Sequence, residues 1–198
     1  MKNLILTLTL IAVALIAPHS FAVDYEGGAY VVDSTHSKVG FSIKHLVFTD
    51  VEGSFKEFEG SLDLKESFEK SSFQGSVDIA SIDTGVEKRD GHLKSADFFD
   101  AKKHPKMKFE TTSLSGSAKS FQAKGKLSIK GITKDVVFKG KVLGFIKNDG
   151  WGNKKVALQL ETTINRKDFG LTWSKVVEVG PVVGDQVKIK LNIQAAKK

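Results

Sequence analysis

The chain has 198 residues and a formal net charge of +7, and only Arg89 and Arg166 among its 30 basic residues are arginines. This length allows one domain with a sizeable core, and the absence of cysteine excludes disulfides and any anchor that needs a lipidated cysteine. Because lysines along strand faces usually serve solubility and edge protection, and arginine is scarce, we expect no nucleic-acid binding.

The first 22 residues predict a secretory signal peptide. Lys2 gives a basic start, residues 4–17 are apolar or threonine, and residues 20–22 put small side chains at the −3 and −1 positions of a cleavage site. A membrane anchor is the alternative, but these 14 residues are fewer than the ~20 needed to span a bilayer. Cleavage near Val23 removes Lys2 and lowers the formal charge to +6.

After the signal peptide, apolar and polar residues alternate with a period of two, which is typical of half-buried β-strands. Turn signals at residues 130–131, 148–150 and 180–181 separate the alternating runs. The pattern predicts one antiparallel β domain of about eight strands, each with one apolar and one solvated face. The clearest candidate strands cover residues 39–43, 73–79, 106–111, 121–129, 136–146, 156–164 and 187–195.

Residues 55–64 depart from strict alternation. Phe58, Gly60 and Leu62 share one parity, whereas Phe55 is out of phase with them. A bulge or bend near residues 56–57 would bring both sets to the same face.

Four glycines lie on the inward-facing parity of the predicted strands: Gly75, Gly125, Gly140 and Gly144. They could relieve strain where strands coil. Alternatively, they leave the interior unfilled, and an eight-stranded barrel can hold one ligand. An unfilled apolar barrel would bind a lipid-like molecule. The pattern alone leaves both interpretations, and the choice between sandwich and barrel, open.

The alternation stops at residues 88–105, where polar groups gather. The histidines at positions 36, 45, 92 and 104 lack the spacing of a metal site, so we expect no metal. His92 with Asp90 or Asp97, together with Ser95, has the ingredients of a hydrolase- or lyase-type site, but working triads are usually assembled from separate loops. We keep this enzyme as the alternative and expect no catalytic residues.

A structural account of the same segment predicts a helix over residues 86–95, capped by Asp83 or Thr84, followed by a crossing loop. Arg89 would pair with carboxylates. The loop would turn Leu93, Phe98 and Phe99 toward the interior. A second interruption at residues 164–173 carries Phe169 and Trp173, which either plug one end of a barrel or line a ligand channel.

Several stretches carry a family resemblance. They read DTGVEKRDGHLKSADFF (residues 83–99), GSFKEFEG (53–60), GKLSIKGITKDV (125–136), NRKDFG (165–170) and VGDQVKI (183–189). In this order they resemble the YceI-like family, and the resemblance covers nearly all of the chain after the signal peptide.

The resemblance implies an all-β fold, a single extended eight-stranded antiparallel lipocalin-like barrel, with a short helix and crossing loop near residues 84–105. It also implies an exported bacterial protein whose residues 23–198 form a lipid-binding domain, which we expect in the periplasm. The function implied is binding or carriage of a long amphiphilic isoprenoid, a polyprenyl phosphate or a quinone. No cofactor is expected besides such a bound lipid, and no catalytic residues come with the family.

The predicted ligand-binding residues are Phe41, Ile43, Phe73, Val77, Leu93, Phe98, Phe99, Phe109, Leu127, Phe138, Val142, Leu160 and Ile189. The predicted head-group residues are His45, Arg89 and His92. The expected partner is the isoprenoid lipid itself. A homodimer stays open, as does transient contact with a membrane surface or a membrane protein such as a cytochrome.

Overall fold

The computed structural model describes residues 25–198, so the predicted signal peptide lies outside the described residues. In residues 25–198, no helix is both long and apolar enough to cross a bilayer. The described part of the chain contains one α-helix, α1 (Glu87–Lys94), four 3-10 helices and thirteen strand segments. The 3-10 helices are Ser34–His36, Phe68–Lys70, Ile79–Ser81 and Arg166–Phe169.

The strand segments follow the chain in order. They are β1 (Gly28–Val32), β2 (Lys38–His45), β3 (Thr49–Phe55), β4 (Phe58–Leu64), β5 (Ser72–Asp78), β6 (Ile82–Asp83), β7 (Lys106–Ser117), β8 (Ser120–Ile129), β9 (Ile132–Ile146), β10 (Lys155–Asn165), β11 (Val176–Val177), β12 (Gly180–Pro181) and β13 (Val183–Lys197).

Eight strands close on themselves in the order β1-β4-β5-β7-β8-β9-β10-β13, because the last of these also pairs with β1. The segments β2, β3 and β6 continue β1, β4 and β5 past short breaks, and β2 pairs with the first half of β13. All pairings are antiparallel. The predicted eight-stranded antiparallel barrel with one short helix is confirmed.

The predicted bend at residues 56–57 is also present. β3 ends at Phe55 and β4 begins at Phe58, and the Lys56 amide donates to the Ser81 carbonyl at 3.1 Å instead of continuing the ladder. Because a two-residue break resets the alternation, Phe55 and Phe58 both turn toward the barrel interior.

Two of the four predicted inward glycines make room for aromatic rings, whereas the prediction for Gly144 is wrong because a bulge in β9 turns it to the outer face. A Cβ at Gly140 would lie 2.5 Å from the ring of Phe121, and one at Gly125 would lie 2.5 Å from the ring of Phe109. At these two positions the aromatic rings of neighbouring strands fill the space that a larger side chain would need, so these glycines leave no cavity. Gly75 differs, since it forms part of the wall of an internal cavity.

Buried apolar side chains form two clusters at opposite ends of the barrel. The packed end lies around Tyr30, Phe68, Phe121 and Leu158. The helix end lies beside α1, and its buried cluster comprises Phe98, Leu127, Ile129, Ile164, Phe169 and Leu171. The interior between the two clusters is where an unfilled volume can remain.

A carboxylate ties the chain termini together at the packed end. Glu26 accepts hydrogen bonds from Lys154 and Lys197, and these contacts lower its pKa from the ordinary 4.5 to about 2. A depressed carboxyl pKa stabilises the fold above the unfolded-state pKa, and this stabilisation is lost as the pH falls through the folded-state value.

We therefore expect Glu26→Gln to lower the urea midpoint at pH 6, and the difference from the unsubstituted protein to shrink steadily as the pH falls from about 4.5 to about 2, in a comparison of unfolding curves between about pH 6 and pH 2. The matched control is Glu66→Gln, an exposed carboxylate of the neighbouring loop, which should not change the pH dependence. Parallel curves for Glu26→Gln and the unsubstituted protein at every pH would contradict this role.

Candidate functional site

Two adjoining apolar cavities lie inside the barrel. The inner cavity has a volume of about 170 Å³, and the helix-end cavity has a volume of about 250 Å³. They share five lining residues, Phe41, Phe55, Met107, Ile129 and Ile189. These five form a neck between the two cavities, which adjoin along the barrel interior.

The inner cavity contains most of the predicted strand residues. Along β8, β10 and β13 every second residue lines it, as the alternation predicts, whereas along β4 and β5 the consecutive residues 58–62 and 73–77 line it. The predicted residues that line it are Phe41, Phe73, Val77, Phe109, Leu127, Phe138, Leu160 and Ile189.

The helix-end cavity joins the remaining predicted positions from four separate elements. It is lined by Phe41, Ile43, Leu93, Phe98, Phe99 and Ile189, and also by the three predicted head-group residues His45, Arg89 and His92. Its far wall comes from the strand β13 and from the segment that precedes it. Polar side chains thus meet the apolar space at this end of the barrel.

Val142 is the exception among the predicted ligand-binding residues. It points inward as predicted, but it lies in the buried cluster of the packed end and lines neither cavity. Alternation indicates which face of a strand a residue occupies, and it carries no information on the level along the barrel axis. Val142 is therefore a core residue, and we withdraw it from the site.

Several lining residues were not among the predicted set. Met107 and Ile129 have the same parity as Phe109 and Leu127 on their own strands, so the alternation was a sufficient signal for them. Arg166 lies outside regular alternation, and no periodic signal identifies it, whereas Trp173 was already predicted as either a plug or a channel residue.

The crossing segment, residues 84–105, covers the helix end of the barrel. Its helix α1 lies within the predicted bounds, but the predicted caps are wrong. The N-cap position is Val86, without a side-chain cap, and the Asp83 carboxylate instead accepts from the Gly85 amide at 2.8 Å. The cap fails because Gly85 adopts a left-handed conformation (φ 76°), which places the helix start after it.

Arg89 and Asp90 both bind Thr84. The Arg89 guanidinium donates to the Thr84 hydroxyl and carbonyl at 2.8 and 2.9 Å, and the Asp90 carboxylate accepts from the Thr84 amide at 3.0 Å. The prediction that Arg89 pairs with carboxylates is therefore wrong, since its Nε and Nη2 groups donate to the hydroxyl and carbonyl of Thr84. These bonds hold α1 against the strand that precedes it.

His92 lies where the crossing segment meets the cavity. Its Nε2 is 2.9 Å from the Asp97 carboxylate, and its ring packs edge-on against Phe98 and Trp173 with centroids 5.0 and 4.9 Å apart. The Ser95 hydroxyl donates to the His92 carbonyl at 2.7 Å and not to the imidazole. With Asp90 bound to Thr84, the predicted Ser-His-Asp ingredients do not form a hydrogen-bonded chain.

The two alternatives for the second interruption apply to different residues. Phe169 is buried in the helix-end cluster and acts as a plug, whereas Trp173 lines the helix-end cavity. The Arg166–Phe169 turn ends at Gly170 in a left-handed conformation (φ 71°), which sends the chain across the barrel end toward Trp173.

Arg166 is the buried charge of this region, with 2% of its surface exposed. Its guanidinium donates to the carbonyls of Leu171, Trp173 (2.8 Å) and Gly184 (2.7 Å), and it lies 3.3 Å from the Asp185 carboxylate. Burial lowers the pKa of Arg166 from its ordinary value, and Asp185 opposes that shift. Its donors are directed at the backbone, so it fixes the cavity wall and leaves the polar face toward the cavity to His45, Arg89 and His92.

In the described part of the chain, no three or more His, Cys, Asp or Glu side chains converge as metal ligands would. The geometry suits a long amphiphile instead. Its apolar chain would fill the neck and the inner cavity, and its polar group would lie among the histidine and arginine side chains at the helix end.

Comparisons with family models, known sequences and solved structures point to the same family. A family model described as YceI-like domain matches residues 30–195. The UPF0312 protein of Serratia proteamaculans is 30% identical over 200 residues, which cover 100% of this chain and 98% of that protein. The crystal structure of BcnA from Burkholderia cenocepacia matches with a TM-score of 0.73 and 25% identity, over 82% of this chain and 98% of that one.

A third solved structure shows the same fold at lower identity. It is a polyisoprenoid binding domain from Saccharophagus degradans, implicated in plant cell wall breakdown. The match has a TM-score of 0.64 and 14% identity, over 87% of this chain and 100% of that domain.

Proposed function

The chain belongs to the YceI-like domain family, and from this premise we propose that it binds and carries a long amphiphilic isoprenoid lipid in the periplasm. The cargo we propose is a polyprenyl phosphate or an isoprenoid quinone. The role is binding without turnover, so the segment around His92 closes the site and catalyses no reaction.

The observation that carries this proposal is the elongated apolar space inside the barrel. Twelve of the thirteen predicted ligand-binding side chains line one or both cavities, and the two cavities share a neck. Moving one five-carbon prenyl unit from water into such a space contributes roughly 3–4 kcal/mol. Ordering a flexible chain offsets part of that gain, so a chain of several units is needed for tight binding.

The polar end of the space supports an amphiphile over a plain hydrocarbon. Arg89 brings a permanent positive charge to the wall of the helix-end cavity, and His45 and His92 bring imidazoles that can donate hydrogen bonds. A phosphate would accept from all three groups, and a quinone carbonyl would accept from one or two. The Saccharophagus degradans domain of the same fold is a polyisoprenoid binding domain, which supports the chemical class of the cargo.

We expect organic-solvent extracts of the protein purified from bacteria to contain an isoprenoid in proportion to the protein, measured by mass spectrometry. Polyprenyl phosphate and quinone are then added separately to delipidated protein, and binding is followed by the fluorescence of Trp173, which lines the cavity. Because Trp151 lies at the exposed surface, Trp151→Phe removes its background signal. Protein that yields no isoprenoid and binds neither added lipid would contradict the proposal.

A further inference from the structure

Two loop tips beside the helix-end cavity expose apolar side chains. The first tip, residues 46–48, joins β2 to β3, and the second tip, residues 176–179, comprises β11 and the turn that leads to β12. Phe48 is 71% exposed and Val176 is 82% exposed. The other exposed apolar side chains of the two tips are Val47, Val177 and Val179.

The two tips are neighbours in space. The Leu46 amide donates to the Val182 carbonyl at 3.0 Å, and His45 pairs with Val183. A Cβ placed at Gly180 would lie 3.4 Å from the Val47 side chain. The five apolar side chains therefore form one projection at a single end of the barrel, which we call the apolar tips.

The backbone of the first tip is strained without any gain in packing. Leu46 and Val47 both have positive φ, 49° and 68°. Hairpin positions of this kind favour asparagine or glycine, and a β-branched residue there is a true outlier. Since Val47 and Phe48 are exposed, core burial does not account for large apolar residues at these positions, which indicates a role outside the fold.

We propose that the apolar tips dock onto a lipid bilayer with anionic head groups and penetrate its head-group region. The tips lie directly beside the cavity, since His45, Val51 and Val182, one to three residues from them, form its wall. Docking here would bring the cavity to the membrane surface, and this part of the reasoning rests on the proposed lipid cargo. Apolar side chains of an interfacial protein reach ~5–10 Å into that boundary.

Charge and size favour a bilayer over a protein partner. From Val23 onward the chain has 29 basic and 23 acidic residues, a formal charge of +6, which attracts anionic lipid. Lys44 and Lys175 flank the tips, and Asp50 and Glu178 balance them locally, so the attraction comes from the whole chain. A stable protein interface takes ~20–30 residues a side, far more than two short tips supply.

The test is sedimentation with vesicles of phosphatidylcholine alone and of phosphatidylcholine with phosphatidylglycerol. We expect the protein to bind the anionic vesicles, and Phe48→Ser with Val176→Ser to weaken the partition roughly ten-fold or more, because each removed side chain is one that would be buried in lipid. The matched control is Trp151→Ser with Leu143→Ser, which removes exposed apolar groups elsewhere on the barrel and should bind as the unsubstituted protein does.

Three outcomes would overturn the docking surface. They are an unsubstituted protein that does not sediment with vesicles, a double variant at the tips that binds unchanged, and a dimer in sedimentation velocity that the tip variant abolishes. Lipid extracts of each variant separate this proposal from the cargo. Protein that contains isoprenoid but does not sediment with vesicles would overturn the membrane-docking proposal alone. Protein that binds vesicles through the tips but contains no isoprenoid would overturn the proposed lipid cargo alone.

Discussion

Replacing Ile189 by tryptophan is expected to lower isoprenoid binding by more than about 100-fold while the barrel stays folded. Ile189 lies in the neck between the two cavities and pairs with Phe41 across the β2–β13 ladder. An indole at this position would close the neck, and the prenyl units beyond it could no longer enter the inner cavity. Losing two units costs roughly 6–8 kcal/mol of transfer free energy, of which part is recovered as chain entropy.

The measurement is the molar ratio of extracted isoprenoid to protein, together with the affinity for added lipid. Lys190→Trp is the matched control, because Lys190 is the next residue of the same strand and faces solvent. It adds the same side chain outside the barrel and should keep the cargo. Overpacking at Ile189 costs about 1–3 kcal/mol of stability, so circular dichroism and urea unfolding accompany the assay. A full complement of lipid in Ile189→Trp would mean that the chain does not pass the neck.

Most of the strands, though not β1, were predictable from the sequence because one face of each strand is apolar and the other is polar. Inward positions such as Phe121 and Ala123 are buried, and their neighbours are exposed, so the alternation in the sequence follows the pleat of the strand. The break at residues 56–57 was predictable for the same reason, since Phe55 could reach the interior only if the parity was reset. β13 extends to Lys197, beyond the predicted residue 195, because its last residues pair with β1 to close the barrel.

The sequence did not predict the features that depend on the position of a residue along the barrel axis or on its hydrogen-bond partners in space. Val142 has the pattern of a cavity residue, and only the axial level of its strand places it in the packed end. Arg89 was expected to find a carboxylate, but Thr84 supplies a hydroxyl and a carbonyl at the same place. The residue pattern correctly predicted a crossing segment that turns apolar side chains inward, but its hydrogen bonds depend on local geometry that the sequence does not display.

Arg166 shows why an unusual residue can be noticed while its role stays hidden. The sequence marks it as one of two arginines, but three of its partners are backbone carbonyls. Every residue carries such a carbonyl, so no side-chain pattern points to them. The planar guanidinium of Arg166 donates to three of these carbonyls at once and thereby supports the cavity wall.

Replacing Arg166 by methionine is expected to destabilise the protein by about 3–5 kcal/mol, because the carbonyls that it serves lose their donor in a region closed to water. Methionine keeps a similar length and apolar stem, so the loss reports the guanidinium and not a cavity. Arg166→Lys should retain only part of the stability that the arginine provides, since an ammonium cannot reproduce the planar guanidinium. The measurement is the free energy of unfolding in urea.

The neighbouring Lys167 supplies the matched control for this prediction. It contacts the same carboxylate, with its ammonium 2.8 Å from Asp185, but its side chain is exposed to solvent. Exposed pairs contribute at most about 1 kcal/mol, so Lys167→Met should shift the midpoint only slightly. The difference between the two variants isolates the backbone carbonyls, since both lose a contact with Asp185. Equal losses of stability in Arg166→Met and Lys167→Met would show that these carbonyls find other donors. Because Arg166 also holds Trp173 through the Trp173 carbonyl, Arg166→Met should loosen the wall of the helix-end cavity and weaken lipid binding.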